Sequence, residues 1–293
     1  MAEALRIAVT GGSGRVGKFV VRHLLDRGHH VINMDRRSDA DERARFEQCD
    51  VRSYEDVSAV LSECDAVCHL ADIPNVKTGP PLDEVYWSNA RSSGVVLQAA
   101  ADLHLRRVVY TSTCQIYGYA GEGRVPPKYL PVDEAHPSYP SNAYAISKTA
   151  NEAFAQMTSR CADLPVTIFR LPYVMEREPD QKFLEGIEHD GGPLDNGMGT
   201  FVHGDDCAAA YVAALDSALG GCEVFNICAD DVMSIKPIAN RLSHPEFPKL
   251  PAGWPALKSP VSSEKAKAKL GWRPQWSFAD FFRRKMGREP VGG

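Results

Sequence analysis

The chain has 293 residues, 44% hydrophobic and 24% charged, enough for one large or two modest domains with ordinary globular cores. Its 33 basic against 38 acidic side chains leave a formal charge of −5, which gives no reason to expect a nucleic-acid or anionic-membrane partner. No window approaches the ~18 consecutive apolar residues of a membrane span, the first apolar run breaks at once on glycine, and the eight cysteines lack CxxC or zinc-type spacing; a cytoplasmic chain with reduced thiols and no metal is expected.

Apolar runs at 6–10, 31–35, 46–50, 66–70, 107–111 and 166–170 predict strands. Between them, helical spacing begins with Val16, Phe19, Val20 and Leu24 and recurs around 54–63, 85–103 and 144–160. Strand and helix in alternation predict an α/β fold, a doubly wound parallel (Rossmann) sheet covered on both faces. The rhythm breaks after Leu171, and residues 175–200 show no clear strand period. One more helix (205–218) and a short strand (224–227) follow, then a proline-rich stretch and a final helix near 263–269. The expected organisation is a dinucleotide-binding domain over 1–172, rejoined by 201–228, with a small C-terminal substrate-binding region built from 173–200 and 229–293. The alternation Lys265, Lys267, Lys269 reads as a solvated helix face.

Thr10-Gly11-Gly12-Ser13-Gly14-Arg15-Val16-Gly17 stands where the first strand passes to the first helix. Gly11 suits the tight turn, Gly14 lets backbone approach a pyrophosphate, and Gly17 lets helix and strand pack closely, while the helix N-terminus offers N–H groups to phosphate. Asp35 ends the second strand at the spacing of a ribose-binding carboxylate, and it would repel a 2′-phosphate. NAD is therefore expected over NADP, although Arg36 and Arg37 follow directly and an arginine there can clamp a 2′-phosphate.

Tyr144 and Lys148 are four residues apart at the start of a helix, so phenol and ammonium share a face. A free tyrosine has a pKa of about 10, and a neighbouring cation favours the phenolate. Such a pair suits proton exchange with a hydroxyl whose carbon trades hydride with nicotinamide. Upstream, Thr111 to Gly118 follows a strand end, where active sites of doubly wound sheets gather, and a hydroxyl there can orient a substrate oxygen.

With these motifs the chain resembles an extended short-chain dehydrogenase/reductase of the NAD-dependent epimerase/dehydratase type. The resemblance runs through TGGSGRVG (10–17), Asp35, Cys49-Asp50-Val51, His69-Leu70-Ala71, Asn89, TSTCQIYG (111–118), YAISK (144–148), Arg170-Leu171-Pro172, Phe201 to Asp206 and Leu270-Gly271-Trp272. It implies Thr113 as the catalytic hydroxyl, Tyr144 as general acid/base, and Lys148 as the group that lowers the tyrosine's pKa and holds the nicotinamide ribose. It further implies that Gly11, Ser13, Gly14, Arg15, Val16 and Gly17 cradle the cofactor with Asp35 and Arg36. Asp50 and Val51 would flank the adenine, and Leu70, Ala71, Leu171 and Pro172 would line the cleft. Asn89 would fix the central helix, with helix capping as its plainer role. The helices at 85–103 and 144–160 are the ones this family commonly uses to form a homodimer.

Departures from the family narrow the substrate. Its 4,6-dehydratases place Asp and Glu after the catalytic Thr, where this chain has Cys114 and Gln115; Cys114 reads as a buried spectator. Its nucleotide-sugar epimerases carry an Asn where Tyr173 stands, and a basic residue ahead of Phe201 where the run is 196–200; Arg177 or Lys182 are candidate substitutes. Gln115, Tyr173 and His203 are candidate substrate contacts, His203 being read first as a packing residue. The expectation is an NAD-dependent oxidoreductase moving hydride between nicotinamide and a secondary alcohol or ketone carbon of a small sugar-like or polyol substrate. Two alternatives stand beside it: a nucleotide-sugar 4-epimerase with tightly held NAD, and a non-catalytic dinucleotide sensor.

Overall fold

The structure, a computed structural model, describes residues 3–74, 80–120, 124–190, 198–242 and 247–290. The chain divides into two compact units: 1–112, 143–169 and 207–225 form the first, and 113–142, 170–206 and 226–293 the second. Segment 113–142, which sequence assigned to the dinucleotide domain, thus groups with the second unit.

Strands β1 (Arg6–Thr10), β2 (His30–Asp35), β3 (Arg45–Gln48), β4 (Ala66–His69), β5 (Arg107–Thr113), β6 (Val166–Leu171) and β9 (Cys222–Asn226) form one sheet in the order β3-β2-β1-β4-β5-β6-β9. The pairs among its first five strands are parallel. β4 and β6 are buried at every position, as strands covered on both faces must be. The helices of this unit are α1 (Gly17–Asp26), α2 (Tyr54–Leu61), α3 (Leu82–Asp102), α4 (Ala143–Ala162) and α6 (Gly204–Asp216), whose first turn belongs to the second unit. Ser53 caps α2 by accepting from the Asp56 N–H at 3.2 Å. The core between sheet and helices gathers Ile32, Met34, Leu61, Val67, Leu97 and Ile168.

The second unit departs from the expected pattern. Tyr173–Met175 (β7) and Phe201–His203 (β8) pair in parallel as a separate two-stranded sheet, and Gln181–Asp190 forms α5 where no period was apparent. Three-residue strands are too short to show alternation, and α5 announces itself only through buried Leu184 and Ile187. Two more helices, α7 (Ile238–Arg241) and α8 (Glu264–Leu270), precede α9 (Phe278–Met286), which was not anticipated; it buries Phe278, Phe281 and Phe282 against Met175, Leu184 and Phe201. The alternating lysines do not share a solvated face. Residues two apart point about 200° apart on a helix, and Lys267, only 10% exposed, bridges Asp230 and Glu264.

All eight cysteines are free thiols, with Cys161 exposed and Cys222 half-buried. Among the described residues no helix is long and apolar enough to cross a membrane, and no group of three or more His, Cys, Asp or Glu could hold a metal ion.

Candidate active site

The glycine turn is built by exclusion of side chains. Gly11 has φ +68°, and a Cβ there would stand 2.9 Å from the Ala71 Cα. A Cβ on Gly17 would lie 2.1 Å from the Gly11 carbonyl oxygen, so the start of α1 can approach the turn only as glycine. Leu70 and Ala71 thus lie against the turn, and their N–H groups both donate to Thr10 Oγ1, at 3.1 and 3.2 Å. Gly14 and Arg15 are exposed and Val16 half-buried, and Val16, the residue before α1, gives the helix no side-chain cap. Asp35, ending β2, accepts from the Ser13 N–H at 3.1 Å and the Arg36 N–H at 2.7 Å, which brings the expected ribose carboxylate to the turn. These features fit a dinucleotide: a cradle closed to side chains, an uncapped helix start and one carboxylate beside them. Asp50 and Val51 follow β3 half-buried, and the Arg52 guanidinium holds the Asp50 carboxyl down at about 2.

A buried polar chain runs from this turn to α4. Thr10 Oγ1 meets His69 Nδ1 at 2.7 Å, and His69 Nε2 meets Ser93 Oγ at 3.2 Å. The Asn151 amide donates to Ser93 Oγ at 2.8 Å and to the Asn89 carbonyl at 3.1 Å. Asn89 accepts from the Ile73 N–H at 2.8 Å, returns a bond to the Ile73 carbonyl at 2.9 Å and donates to Ser147 Oγ at 3.4 Å. Asn89 lies mid-helix in α3, so it is no cap. Its amide instead clamps the segment leaving β4. Burial pushes His69 down to about 3, so its imidazole is neutral at neutral pH.

Tyr144 occupies the first turn of α4, half-buried, and its carbonyl accepts from Ser147 Oγ at 2.7 Å. Lys148 is 1% exposed, and its ammonium stands 5.8 Å from the Tyr144 ring centroid. It donates to the Thr111 carbonyl at 2.6 Å, reaches Tyr110 Oη at 3.4 Å and forms an ion pair with Asp72. Sequence reasoning passed over Asp72. The signal available was a carboxylate three residues past His69, at the end of an otherwise buried strand. Burial pushes this carboxyl up to about 6 against the opposing pull of Lys148.

The remaining candidates lie in the second unit. Thr113 ends β5, and its hydroxyl accepts from the Gln115 N–H at 3.2 Å and faces the Leu171 carbonyl at 3.5 Å, so Thr113, Gln115 and Leu171 are brought together. The Gln115 side chain accepts from Asn142 Nδ2 at 3.2 Å. Pro172 is half-buried, and Tyr173 opens β7 at 39% exposed. His203 stacks on Trp276 with ring centroids 4.9 Å apart and planes 7° from parallel. Cys114 is buried and donates to the Arg170 carbonyl, and burial pushes its thiol up, far from a reactive thiolate.

The profile of the NAD dependent epimerase/dehydratase family matches residues 7–228. UDP-glucose 4-epimerase of Lacticaseibacillus casei is 28% identical, the alignment covering 94% of each chain. The human dTDP-D-glucose 4,6-dehydratase is 25% identical over 93% of this chain and 86% of its own. Among solved structures, UDP-glucose 4-epimerase of Thermus thermophilus in complex with NAD superposes with a TM-score of 0.69 at 25% identity, covering 95% of this chain and 96% of that one.

Proposed function

The chain belongs to the NAD-dependent epimerase/dehydratase family, and within it we propose that the protein is a nucleotide-sugar 4-epimerase. It is an NAD-dependent enzyme of the extended short-chain type with the Rossmann fold. Bound NAD would supply the hydride acceptor, and as NADH the hydride donor, for the alcohol carbon.

The observation that carries the reading is the juxtaposition of Tyr144 with the Lys148 ammonium, 5.8 Å from its ring, in the same unit as the glycine turn and Asp35. Tyr144 removes the hydroxyl proton as the carbon is oxidised and returns it when the ketone is reduced. Lys148 supplies the fixed positive charge beside the phenol. Thr113 orients the substrate oxygen, and Gln115, Tyr173 and His203 are the proposed substrate contacts. The turn from Gly11 to Gly17 would hold the pyrophosphate and Asp35 the adenosine ribose. Asp50, Val51, Leu70, Ala71, Leu171 and Pro172 would complete the cofactor's surroundings, and Asn89 acts through its clamp on Ile73. The carboxylate of Asp35 favours NAD over NADP.

Likeness to UDP-glucose 4-epimerases along nearly the whole chain supports epimerisation over net oxidation. The Cys114-Gln115 pair speaks against a dehydratase, which needs a carboxylic acid and a carboxylate there. A second reading, a net dehydrogenase acting on a free sugar or polyol, is favoured by Tyr173 in place of the diphosphate-binding Asn. Incubating the purified protein with UDP-glucose while following absorbance at the NADH band separates them. Formation of UDP-galactose with no net NADH supports the epimerase. Stoichiometric NADH on a sugar substrate replaces it with the dehydrogenase. A homodimer through α3 and α4 is part of the proposal; these helices expose Trp87 (67%), Ile146 (46%) and Met157 (37%), and sedimentation at the monomer mass would refute it.

A further inference from the structure

Glu152 holds a costly position in α4. It is 4% exposed, where an apolar side chain would pack without the loss of solvation that a carboxylate suffers. It lies one helical turn beyond Lys148, as Lys148 lies one turn beyond Tyr144, so the three share a face of α4. Glu152 Oε1 accepts from Ser112 Oγ at 2.5 Å, the short end of the range for a hydroxyl donating to a carboxylate, and Ser112 is itself buried. Ser112 follows Thr111 in β5, and the Thr111 carbonyl accepts from the Lys148 ammonium at 2.6 Å. Two consecutive turns of α4 are thereby fastened to two consecutive residues of one strand.

The strand needs fastening at this place. The register of β4 on β5 stops at His69 opposite Tyr110, so from Thr111 onward β5 runs past that neighbour. Side chains of successive strand residues point to opposite faces. Thr111 Oγ1 meets Tyr211 Oη of α6 at 2.7 Å and Ser112 reaches Glu152, so the overhang is gripped from both faces. Asn151 fixes α4 to α3 through Ser93 and the Asn89 carbonyl, and what Glu152 adds is the link to β5. Glu152 stands eight residues along α4 from Tyr144, roughly 12 Å of helix rise, too far to exchange a proton at the same substrate oxygen. We infer that Glu152 is a positioning residue: by holding Ser112 it keeps the Thr111 carbonyl on Lys148, and so keeps the ammonium beside the Tyr144 ring. This rests on the reading of Tyr144 and Lys148 as the proton-handling pair, and adds what holds that pair in place.

Turnover of UDP-glucose by the full-length protein with NAD, followed across pH, tests it. Ser112→Ala removes the donor, and should lower kcat roughly tenfold with KM within about twofold. Glu152→Gln keeps an oxygen for Ser112 but not the charge, and should lower kcat about threefold. The double variant should match Ser112→Ala alone, because both changes break one contact. The pH profile separates position from charge. An ammonium held less closely to Tyr144 favours the phenolate less, so the rise of kcat with pH should move to higher pH in both single variants. A carboxylate acting through its charge alone would, once removed, move that rise to lower pH in Glu152→Gln. Unchanged kcat in Ser112→Ala, a loss carried by KM alone, losses that multiply in the double variant, or a rise that stays or moves lower in Glu152→Gln would each overturn the inference. Glu152→Gln is nearly isosteric and decides the matter by itself should Ser112→Ala fail to fold. Unmutated protein with no turnover, by epimerisation or by NADH formation, would instead bring down the Tyr144–Lys148 reading beneath it.

Discussion

The two units bury charge in opposite ways. In the first, Lys148 pairs with Asp72, whose buried Oδ1 accepts no hydrogen bond, and the polar chain from Thr10 to Ser147 ends at the Tyr144 carbonyl. In the second, Arg170 donates to Tyr117 Oη at 2.9 Å and to the Glu134 carbonyl at 3.0 Å. Tyr117 passes its own proton to Asn226 Oδ1 at 2.7 Å, and the Asn226 N–H returns to Glu134 Oε1 at 2.8 Å. That second network closes on itself, tying β5's exit, β6 and β9 with no open acceptor among the atoms just named. A fully satisfied buried network rigidifies a fold, whereas an unpaired buried polar group costs stability.

Substitutions that break one network and spare the other sharpen this contrast. The largest effect is expected from Tyr144→Phe. Turnover should drop about a thousandfold, the size of a lost general acid/base, while NAD titration shows affinity within about threefold of the unmutated protein. Retained turnover would remove Tyr144 from the chemistry. Next comes Gly17→Ala, whose Cβ would meet the Gly11 carbonyl at 2.1 Å. Overpacking against backbone should cost about 3 kcal/mol in urea unfolding and weaken NAD together with ADP. Tyr117→Phe opens the closed network, leaving Arg170 and Asn226 each short of a partner. Here about 2 kcal/mol of stability should be lost with NAD affinity unchanged.

The smallest effect is a pH dependence. His69 is held down to about 3, so below the ordinary imidazole range the unfolded chain takes up a proton that the folded chain refuses. Its stabilisation is present above pH ~6.5 and is lost as pH falls, at up to ~1.4 kcal/mol per pH unit. Asp72, raised to about 6, acts in the opposite sense: the folded chain binds its proton first, and stability is gained as pH falls from about 6 towards the ordinary carboxylate value. Unfolding of His69→Asn, which removes only the first term, should therefore show the gap to the unmutated protein narrowing between pH 6 and 4. A constant gap would mean that His69 ionises freely in the folded chain.

Much of the first unit could be read along the chain, because its signals are local. β1, β2 and β4 are apolar runs, the turn from Gly11 to Gly17 is eight residues from Thr10 onward, and Tyr144 with Lys148 is one helical turn. The second unit resisted for the complementary reason. β7 and β8 are three residues each and 25 residues apart, so neither carries a period, and His203 reveals its stacking only once Trp276 folds back onto it.

Periodicity, glycine placement and helical spacing depend on neighbours a few residues away, so the amino-acid order alone determined the Rossmann sheet and already placed the glycine turn after β1, Asp35 at the end of β2 and Tyr144 one helical turn before Lys148. Which charges meet in the interior was decided by folding. Lys148 finds Asp72 across 76 residues, Asn89 finds Ile73 across 16, and Tyr117 finds Asn226 across 109. A buried ion pair is strong only where water is excluded, and no stretch of sequence states where that will be.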